Sequence, residues 1–177
     1  MKSKNIFVFI ITLAFVLFTA GSLSAQEKKI DKKELPAAVL NTFQNSYPDA
    51  AIKGTSIEKE KGKTYYEIES IEGTQRKDFL YTKEGKVAEI EETLALNNIP
   101  SFVKSSVMKK IPNCEINKAE KVTRDKYVTY ELVVEHGMHK NEVVLDSKGN
   151  IQKVKKMKKE NEEKQDKENE KTDNDKH

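Results

Sequence analysis

Two segments of the chain carry apolar residues at helical spacing. Their apolar positions recur every three or four residues, at Leu35, Val39, Leu40 and Phe43 in the first segment and at Ile99, Phe102, Val103, Val107 and Ile111 in the second. This spacing predicts two amphipathic helices, each with one apolar stripe. Pro36 and Pro100 fit a first helical turn, where a missing N–H costs nothing. Pro48 and Pro112 disfavour helical backbone in the residue before them, so each helix is expected to end there.

After each predicted helix the apolar period changes from about 3.6 to 2, which is the period of a strand. Four strands are expected after the first helix, over 51–58, 64–71, 76–82 and 86–92, and four after the second, over 115–122, 127–135, 140–146 and 150–154. The separators are short and turn-like, at 60–63, Gly73, 83–86, Gly137 and 147–150. Such separators join antiparallel neighbours, so a four-stranded meander is expected after each helix.

These two segments match each other without a gap when the chain is shifted by 64 residues. Identical residues coincide at Pro36 and Pro100, Pro48 and Pro112, Ile52 and Ile116, Tyr66 and Tyr130, Glu67 and Glu131, Gly73 and Gly137, and Gly85 and Gly149. The matches fall at turns and at apolar positions, where two copies of one fold must agree. They indicate an internal repeat, so the chain is interpreted as two copies of one structural unit.

The fold class expected from these patterns is α+β, built from two tandem repeats of a helix plus a four-stranded antiparallel meander. The repeats are expected over 33–94 and 97–157. A unit of ~60 residues buries too little apolar surface to be comfortably stable alone. The repeats are therefore expected to share a core and to form one extended sheet with both helices on one face.

The repeat resembles a known family of secreted proteins. In the first copy the resemblance rests on Leu35-Pro36, Tyr47-Pro48, Ile52, Tyr66-Glu67-Ile68, Phe79 and Gly85-Lys86-Val87, and in the second on Ile99-Pro100, Ile111-Pro112, Ile116, Tyr130-Glu131-Leu132 and Gly149-Asn150-Ile151. Both patterns are similar to PepSY-like repeats, and two in tandem behind a signal peptide resemble the PepSY-like proteins grouped with the β-lactamase inhibitory protein. The resemblance implies a non-catalytic extracytoplasmic domain that restrains a peptidase or grips an enzyme with a concave sheet. No inhibitory contact motif of that family is matched in this sequence.

Segment 1–25 has the order of a secretory signal peptide. Lys2 and Lys4 precede a fifteen-residue apolar stretch over 6–20, and small residues follow up to Ala25. Cleavage is expected after Ala25. The alternative is an uncleaved anchor, but fifteen helical residues span only ~22 Å, against a hydrocarbon core of ~30 Å. The sequence therefore predicts a periplasmic or secreted protein with no stable membrane span after cleavage.

Segment 158–177 is expected to be a charged, disordered tail. Over 155–177, sixteen of 23 residues are charged, eight of each sign, and only Met157 is apolar. Such a composition buries too little surface to offset its ordering entropy. The functional alternative is a tether to a charged surface.

The overall charge excludes one class of partner. Lys and Arg exceed Asp and Glu by 32 to 29, which gives +3, and about +1 without segment 1–25. A near-neutral chain lacks the concentrated basic surface that nucleic acid requires, so no nucleic-acid partner is expected.

Candidate catalytic and metal-binding residues are few. A single cysteine excludes an intramolecular disulfide framework, so Cys114 is expected to be a packing residue or a thiol that pairs between chains. His136 and His139 fall at one predicted hairpin, where with Glu135 they would hold a transition metal only adventitiously, without a fourth ligand. No nucleophile has an evident base and orienting group. The protein is expected not to be an enzyme, and no cofactor or metal is predicted.

The strand face that points away from the helices is the candidate binding surface. If Tyr66 and Ile68 point inward, period-2 geometry turns the alternate residues outward. The candidate binding residues on this face are Tyr65, Glu67, Glu69, Ile71, Leu80, Thr129, Glu131, Val133 and Val144. An ordinary solvated sheet face is one interpretation, since scattered exposed apolar residues are normal. A platform for a protein partner is the other, because apolar anchors among charges suit a protein interface.

Two classes of function remain open at this point. The first is a secreted protein-binding module that inhibits or regulates an extracytoplasmic enzyme such as a peptidase, with a protein partner in the periplasm or outside the cell. The alternative is a small-ligand or ion-binding envelope protein. A deep apolar pocket would favour the alternative, and a wide, shallow, partly apolar sheet face would favour the first class.

Overall fold

The computed structural model of the chain describes residues 26–60 and 62–157. The predicted signal peptide, 1–25, and the predicted tail, 158–177, lie outside the described residues. Neither of the two helices within those ranges is long or apolar enough to cross a membrane.

The described part of the chain folds into nine strands and two α-helices. In chain order they are β1 (Gln26–Lys29), α1 (Ala37–Ser46), β2 (Ala51–Glu60), β3 (Lys63–Glu72), β4 (Gln75–Tyr81), β5 (Val87–Thr93), α2 (Ser101–Lys110), β6 (Glu115–Arg124), β7 (Tyr127–His136), β8 (His139–Asp146) and β9 (Ile151–Lys156). A 3-10 turn, Lys32–Glu34, precedes α1. The strands form one antiparallel sheet in which spatial order follows chain order. The architecture is therefore α+β, as the sequence predicts.

All eight strands predicted from the period-2 pattern are present, with ends displaced by at most two residues. The ninth, β1, was not predicted, because its sequence QEKK contains no apolar residue. Pairing with β2 places it, since Lys29 lies opposite Ser56 and the Ile30 N–H donates to the Thr55 carbonyl at 3.0 Å.

The two helices start one residue later than predicted relative to their prolines, and they end where predicted. Pro36 and Pro100 adopt extended backbone immediately before the first helical residue rather than lying inside the first turn. The Pro36 carbonyl accepts hydrogen bonds from the Val39 and Leu40 N–H groups at 3.0 and 3.2 Å. The helices end just before Tyr47 and Ile111, because the prolines that follow exclude helical backbone there.

Each helix packs on strands of its own repeat, and the buried apolar residues form two clusters. The first cluster consists of Leu35, Val39, Phe43, Ile68, Phe79 and Tyr81. The second consists of Ile99, Val103, Val107, Ala119, Leu132, Val134, Val143 and Leu145. The fully buried residues therefore do not form the one shared core that was expected, because the strands after each helix supply enough apolar residues to cover its stripe, and only the partly buried Leu94 of the first repeat packs against the cluster of the second.

Backbone pairing joins the two repeats, and its register shifts occur at equivalent positions in each of them. Strands β5 and β6 pair over four positions, with Glu91 opposite Val122. The pairing shifts register between Ile52 and Gly54, and again between Ile116 and Lys118, 64 residues later. A second matched pair of shifts occurs in β4 and β8, after Leu80 and Val144. Bulges are designed features of a family fold, so their agreement supports the repeat.

Candidate binding face

Residues that alternate with the two core clusters form a surface rich in carboxylates. Because directly opposed residues on neighbouring antiparallel strands point to the same face, the pairing of Glu67 with Leu80 and of Leu80 with Glu89 carries this surface across β3, β4 and β5. The pairing of Glu91 with Val122 carries it onward to β6. We call it the carboxylate face; its central acidic residues are Glu67, Glu69, Asp78, Glu89, Glu91, Glu120, Glu131 and Glu142.

The register within this face agrees with the sequence prediction. Tyr66 packs against the first apolar cluster, whereas Tyr65 lies on the alternate side with Glu67. All nine candidate residues share the carboxylate face: Tyr65, Glu67, Glu69, Ile71, Leu80, Thr129, Glu131, Val133 and Val144. The structure therefore brings together residues from β3, β4, β7 and β8.

The exposure of these residues differs from the expectation of outward contacts. Val133 and Val144 are only 5% and 1% exposed, and Glu67 and Glu131 are each 3% exposed. Tyr65, Glu69, Ile71, Leu80 and Thr129 are half-buried. Val133 lies opposite Lys118, and Val144 lies opposite Lys153. Lysine stems cover neighbouring apolar surface, so the two valines support the face rather than supply contact area.

Three basic side chains on the face are paired with buried acids. Lys118 Nζ lies 2.8 Å from Glu120 Oε1, and Lys153 Nζ lies 3.5 Å from Glu142 Oε1. Arg124 pairs with Glu89 at the junction of β5 and β6. All three acids are nearly fully buried, so these ion pairs are shielded from solvent more than ordinary surface pairs are.

A row of three carboxylates, by contrast, runs across β3, β4 and β5 without ion pairs. Glu69 lies directly opposite Asp78, and Asp78 lies directly opposite Glu91. Within the described part of the chain, none of the three has a basic group within 4.0 Å. Gly54 makes room at the end of the row, since a Cβ there would lie 2.7 Å from Glu69 Oε1. We call Glu69, Asp78 and Glu91 the acidic row.

Burial and like charge raise the pKa of several of these carboxyl groups. Desolvation is the main cause for Asp78, whose pKa rises to about 6, with repulsion from Glu69 and Glu120 adding to it. Desolvation and repulsion from Glu120 raise the pKa of Glu91 to about 8. Burial also raises the pKa of Glu67 to about 7, although a 2.5 Å hydrogen bond from the Ser56 hydroxyl opposes it.

Glu131 is the least satisfied of the buried acids. Its Oε1 has no hydrogen-bond partner among the described residues and is shielded from solvent. Desolvation raises its pKa to about 7; the nearby charge of Arg124 opposes the rise, and Glu142 and Glu120 add to it. Glu120 lies directly opposite on β6. A buried carboxylate oxygen without a hydrogen bond is costly, even beside the Arg124 charge.

The structure does not bring together the three residues considered as an adventitious metal site. His136 and His139 lie opposite each other at the end of the β7–β8 hairpin. Glu135 points to the alternate face and lies 3.9 Å from Lys140 Nζ. Over residues 26–60 and 62–157, no group of three or more histidine, cysteine or acidic side chains is arranged to hold a metal ion. Cys114 is a half-buried free thiol beside the second cluster, and burial raises its pKa.

Several members of the face were missed by the sequence analysis. These are Asp78, Glu89, Glu91, Glu120, Arg124 and Glu142, together with Tyr127, which is 68% exposed at one end of β7. Carrying the same period-2 alternation through β4, β5 and β6 would have found the acids. Their pairing depends on cross-strand register, which the sequence alone left open.

The fold and this face define a class: an α+β protein of two helix-and-meander units whose nine strands form one antiparallel sheet. A family model described as "Putative beta-lactamase-inhibitor-like, PepSY-like" matches residues 22–89 and again residues 74–153. The chain belongs to this PepSY-like family, as the resemblance predicted. No curated protein sequence matches it significantly.

Among the crystal structures with a similar fold are two from Bacteroides species. One, from Bacteroides eggerthii and described as a "putative periplasmic" protein, has a TM-score of 0.59 at 15% identity, with 68% of this chain and 88% of that chain covered. The other, a BLIP-like protein from Bacteroides fragilis, has a TM-score of 0.56 at 20% identity, with 69% and 86% covered. At these identities the likeness establishes the fold alone.

Proposed function

We propose that the protein is a non-catalytic envelope protein that binds a partner protein through the carboxylate face. One observation carries this proposal: the face continues across both repeats and concentrates acids beside half-buried apolar side chains. Ile71 and Leu80 border the acidic row, and Tyr65 lies beyond Glu67 on the same face of β3. Aromatic and apolar anchors among charges are typical of protein interfaces.

The pairing of β5 with β6 supports a single continuous surface. Ile90, which packs against the first apolar cluster, lies opposite Thr123. Thr123 alternates with Val122, so it shares its side of the sheet with Lys121 and Ala119, and Ala119 belongs to the second cluster. This register favours both helices on one side of the sheet and the carboxylate face on the other.

The compartment and the type of partner are part of the same proposal. We infer that segment 1–25 is a signal peptide cleaved after Ala25, so that the exported protein begins at Gln26, which N-terminal mass analysis would reveal. The neighbour described as periplasmic supports this compartment. We further propose that the partner is an extracytoplasmic enzyme, such as a peptidase, which the protein inhibits or regulates; the beta-lactamase-inhibitor-like description of the family is what suggests an enzyme partner.

The proposal is tested by substituting Tyr65 and measuring partner capture. Exported wild-type protein is used to retain partners from an envelope extract of its own organism, and the retained enzyme is then titrated against purified variants. Tyr65→Ala is expected to weaken binding by ~1–2 kcal/mol or more, as for an interface anchor. It should change folding stability by no more than ~1 kcal/mol, because Tyr65 lies outside the apolar clusters.

Met108→Ala is the matched control, because Met108 is a large apolar side chain, 50% exposed, on α2. It should bind the partner as the parent does. Equal binding by parent, Tyr65→Ala and Met108→Ala would refute the carboxylate face as the interface. If Tyr65→Ala is found unfolded by circular dichroism, Tyr65→Phe and Tyr65→Ser take its place in the binding comparison.

A further inference from the structure

Within the described residues no basic side chain forms an ion pair with the acidic row, although the charges of Arg76 and Lys118 oppose the raised pKa of Asp78. Lys118, Arg124 and Lys153 are each engaged with another acid of the face. We propose that the acidic row binds a basic segment of the partner protein, whose arginine or lysine side chains lie over Glu69, Asp78 and Glu91. This inference rests on the proposed function and names the chemistry of its partner.

The geometry of the row suits a cationic segment. Its carboxylates come from three adjacent strands, which lie ~4.8 Å apart in a sheet. Directly opposed like charges are destabilising when both are ionised. A guanidinium group presents five donors in a planar fork and pairs with carboxylates in bidentate fashion, so one arginine can bridge two members of the row. Binding would therefore relieve a repulsion that is built into the free protein.

Glu131 provides an independent indication of a missing donor. It is 3% exposed, and its Oε1 accepts no hydrogen bond from the described residues. Glu131 lies on the same face two strands from Glu91, on β7 beside Thr129, and its charge contributes to the raised pKa of Glu91. A buried carboxylate oxygen without a donor is rare in folded proteins. A basic side chain that reaches Glu91 would bring N–H donors toward this oxygen as well.

Protons compete with the basic segment for the same carboxylates. The charged groups that act on Glu91 are Glu120, Glu131, Asp78 and Lys118. Those acting on Asp78 are Glu69, Glu120, Arg76 and Lys118, and those acting on Glu131 are Arg124, Glu142, Glu120 and Lys153. Because the pKa values of Asp78 and Glu91 rise to about 6 and 8, the row gains charge between pH 6 and 8, and Glu131, whose pKa rises to about 7, gains charge over the same range.

The test uses fluorescein-labelled hexa-arginine as the probe and the exported protein at low ionic strength. Fluorescence anisotropy is expected to show binding at pH 8.5 and at least tenfold weaker binding at pH 5.5, since protonated carboxyl groups attract no cation. Asp78→Asn and Glu91→Gln should each weaken binding at pH 8.5 by at least fivefold. Glu72→Gln, an equal charge change at an exposed residue of the alternate face, should change it less than twofold.

The outcomes separate this proposal from the proposed function. An equal loss in Glu72→Gln, or no loss in Asp78→Asn and Glu91→Gln, would mean that the probe senses net charge alone and would overturn the basic-segment proposal. Binding that does not change between pH 5.5 and 8.5 would also overturn it. If the probe result is negative while Tyr65→Ala still weakens capture of the partner enzyme, the interface stands and only its basic chemistry is refuted. Circular dichroism at both pH values verifies that every variant is folded.

Discussion

Glu91 illustrates, at the scale of one residue, how the carboxylate face costs the fold stability. Its side chain lies on β5 between Asp78 and Val122, and desolvation together with neighbouring acids raises its pKa to about 8. In the unfolded chain the same carboxyl group has a value near 4.5. The folded state therefore holds more protons than the unfolded state between about pH 4.5 and 8.

This difference predicts that stability falls as pH rises through that range. Because the folded form binds more protons, the free energy of unfolding decreases with increasing pH. The protein should melt at a higher temperature at pH 5 than at pH 8.5. Glu91→Gln should remove part of the dependence, leaving stability at pH 5 almost unchanged and raising it at pH 8.5 by roughly 1–3 kcal/mol.

Thermal melts of the parent, Glu91→Gln and Glu72→Gln at the two pH values measure this effect. Glu72 is exposed at the end of β3, so its substitution should leave the pH dependence as in the parent. A parent that is more stable at pH 8.5 than at pH 5 would show that Glu91 ionises in the folded protein without the cost inferred from its burial.

At this scale the sequence predicted which way side chains point better than how deeply they are buried. Tyr65 and Tyr66 were assigned to opposite faces because alternation follows from strand geometry alone. The burial of Val133 and Val144 depends on Lys118 and Lys153, which lie on neighbouring strands and are brought alongside only by the register. Such lateral neighbours are far apart in sequence, so no local pattern reveals them.

Among the elements, the turn that joins β4 to β5 is fitted closely to the first helix. Gly85 has φ +81°, and a Cβ on it would lie 2.6 Å from the Ala38 carbonyl oxygen of α1. The equivalent turn between β8 and β9 places Gly149, with φ +82°, against the Phe102 ring of α2. Both glycines allow a meander to close beneath its helix, which explains why they coincide in the two repeats.

A larger residue at Gly85 is therefore expected to displace α1. Gly85→Ala combines left-handed backbone strain with a clash against helix backbone that cannot rotate away, so it should destabilise the fold by ~3 kcal/mol or more. Gly73→Ala is the control, because Gly73 also has a positive φ, +58°, but a Cβ there would meet nothing within 4 Å. It should cost only ~1–2 kcal/mol.

Urea unfolding of the two variants and the parent measures both losses. If Gly85→Ala and Gly73→Ala lower the free energy of unfolding equally, backbone strain alone explains both losses, and the turn between β4 and β5 is not in close contact with α1. If neither costs anything measurable, the left-handed conformation of both turns is in doubt.

The elements were predictable to the extent that their signals are local. Period-2 alternation and glycine-containing separators located eight strands, and the prolines located both helix ends. Strand β1 carries no such signal, because Gln26–Lys29 is wholly polar and joins the sheet through its hydrogen bonds to β2. The position of β1 is therefore determined by its pairing with β2 rather than by its own sequence.

On the scale of the whole molecule, two apolar cores are joined by one ladder of backbone hydrogen bonds. The β5–β6 ladder spans Ile90–Thr93 and Glu120–Thr123. Lys121 of β6 approaches Glu92 of β5 at 3.5 Å across this junction, and Lys77 of β4 approaches the same carboxylate at 3.5 Å from within the first repeat. Leu94 follows β5 yet packs against the second cluster, and its N–H donates to the Ala119 carbonyl at 2.9 Å. The junction therefore links the repeats through packing as well as through the sheet.

Separating the repeats between Leu96 and Asn97 should consequently destabilise both. The N-terminal fragment would expose β5 as a new edge strand, and the C-terminal fragment would expose β6 and lose Leu94 from its core. Each fragment retains its own apolar cluster but is small enough to be marginal alone. We expect the intact protein to unfold in one cooperative transition and each fragment to melt well below it or to remain unfolded.

Thermal melts followed by circular dichroism compare the stability of the fragments with that of the intact protein. Leu94→Ala in the intact chain removes the Leu94 contact alone and leaves the chain uncut. If the junction matters through Leu94, this variant should lower stability by ~1–3 kcal/mol, whereas Leu96→Ala, at a residue that is 47% exposed, should have little effect. Mixing the two fragments should restore part of the lost stability, because the β5–β6 ladder can re-form between chains. Fragments that each unfold cooperatively at the temperature of the intact protein would show that the two clusters are energetically independent, and that the sheet joins the repeats without stabilising them.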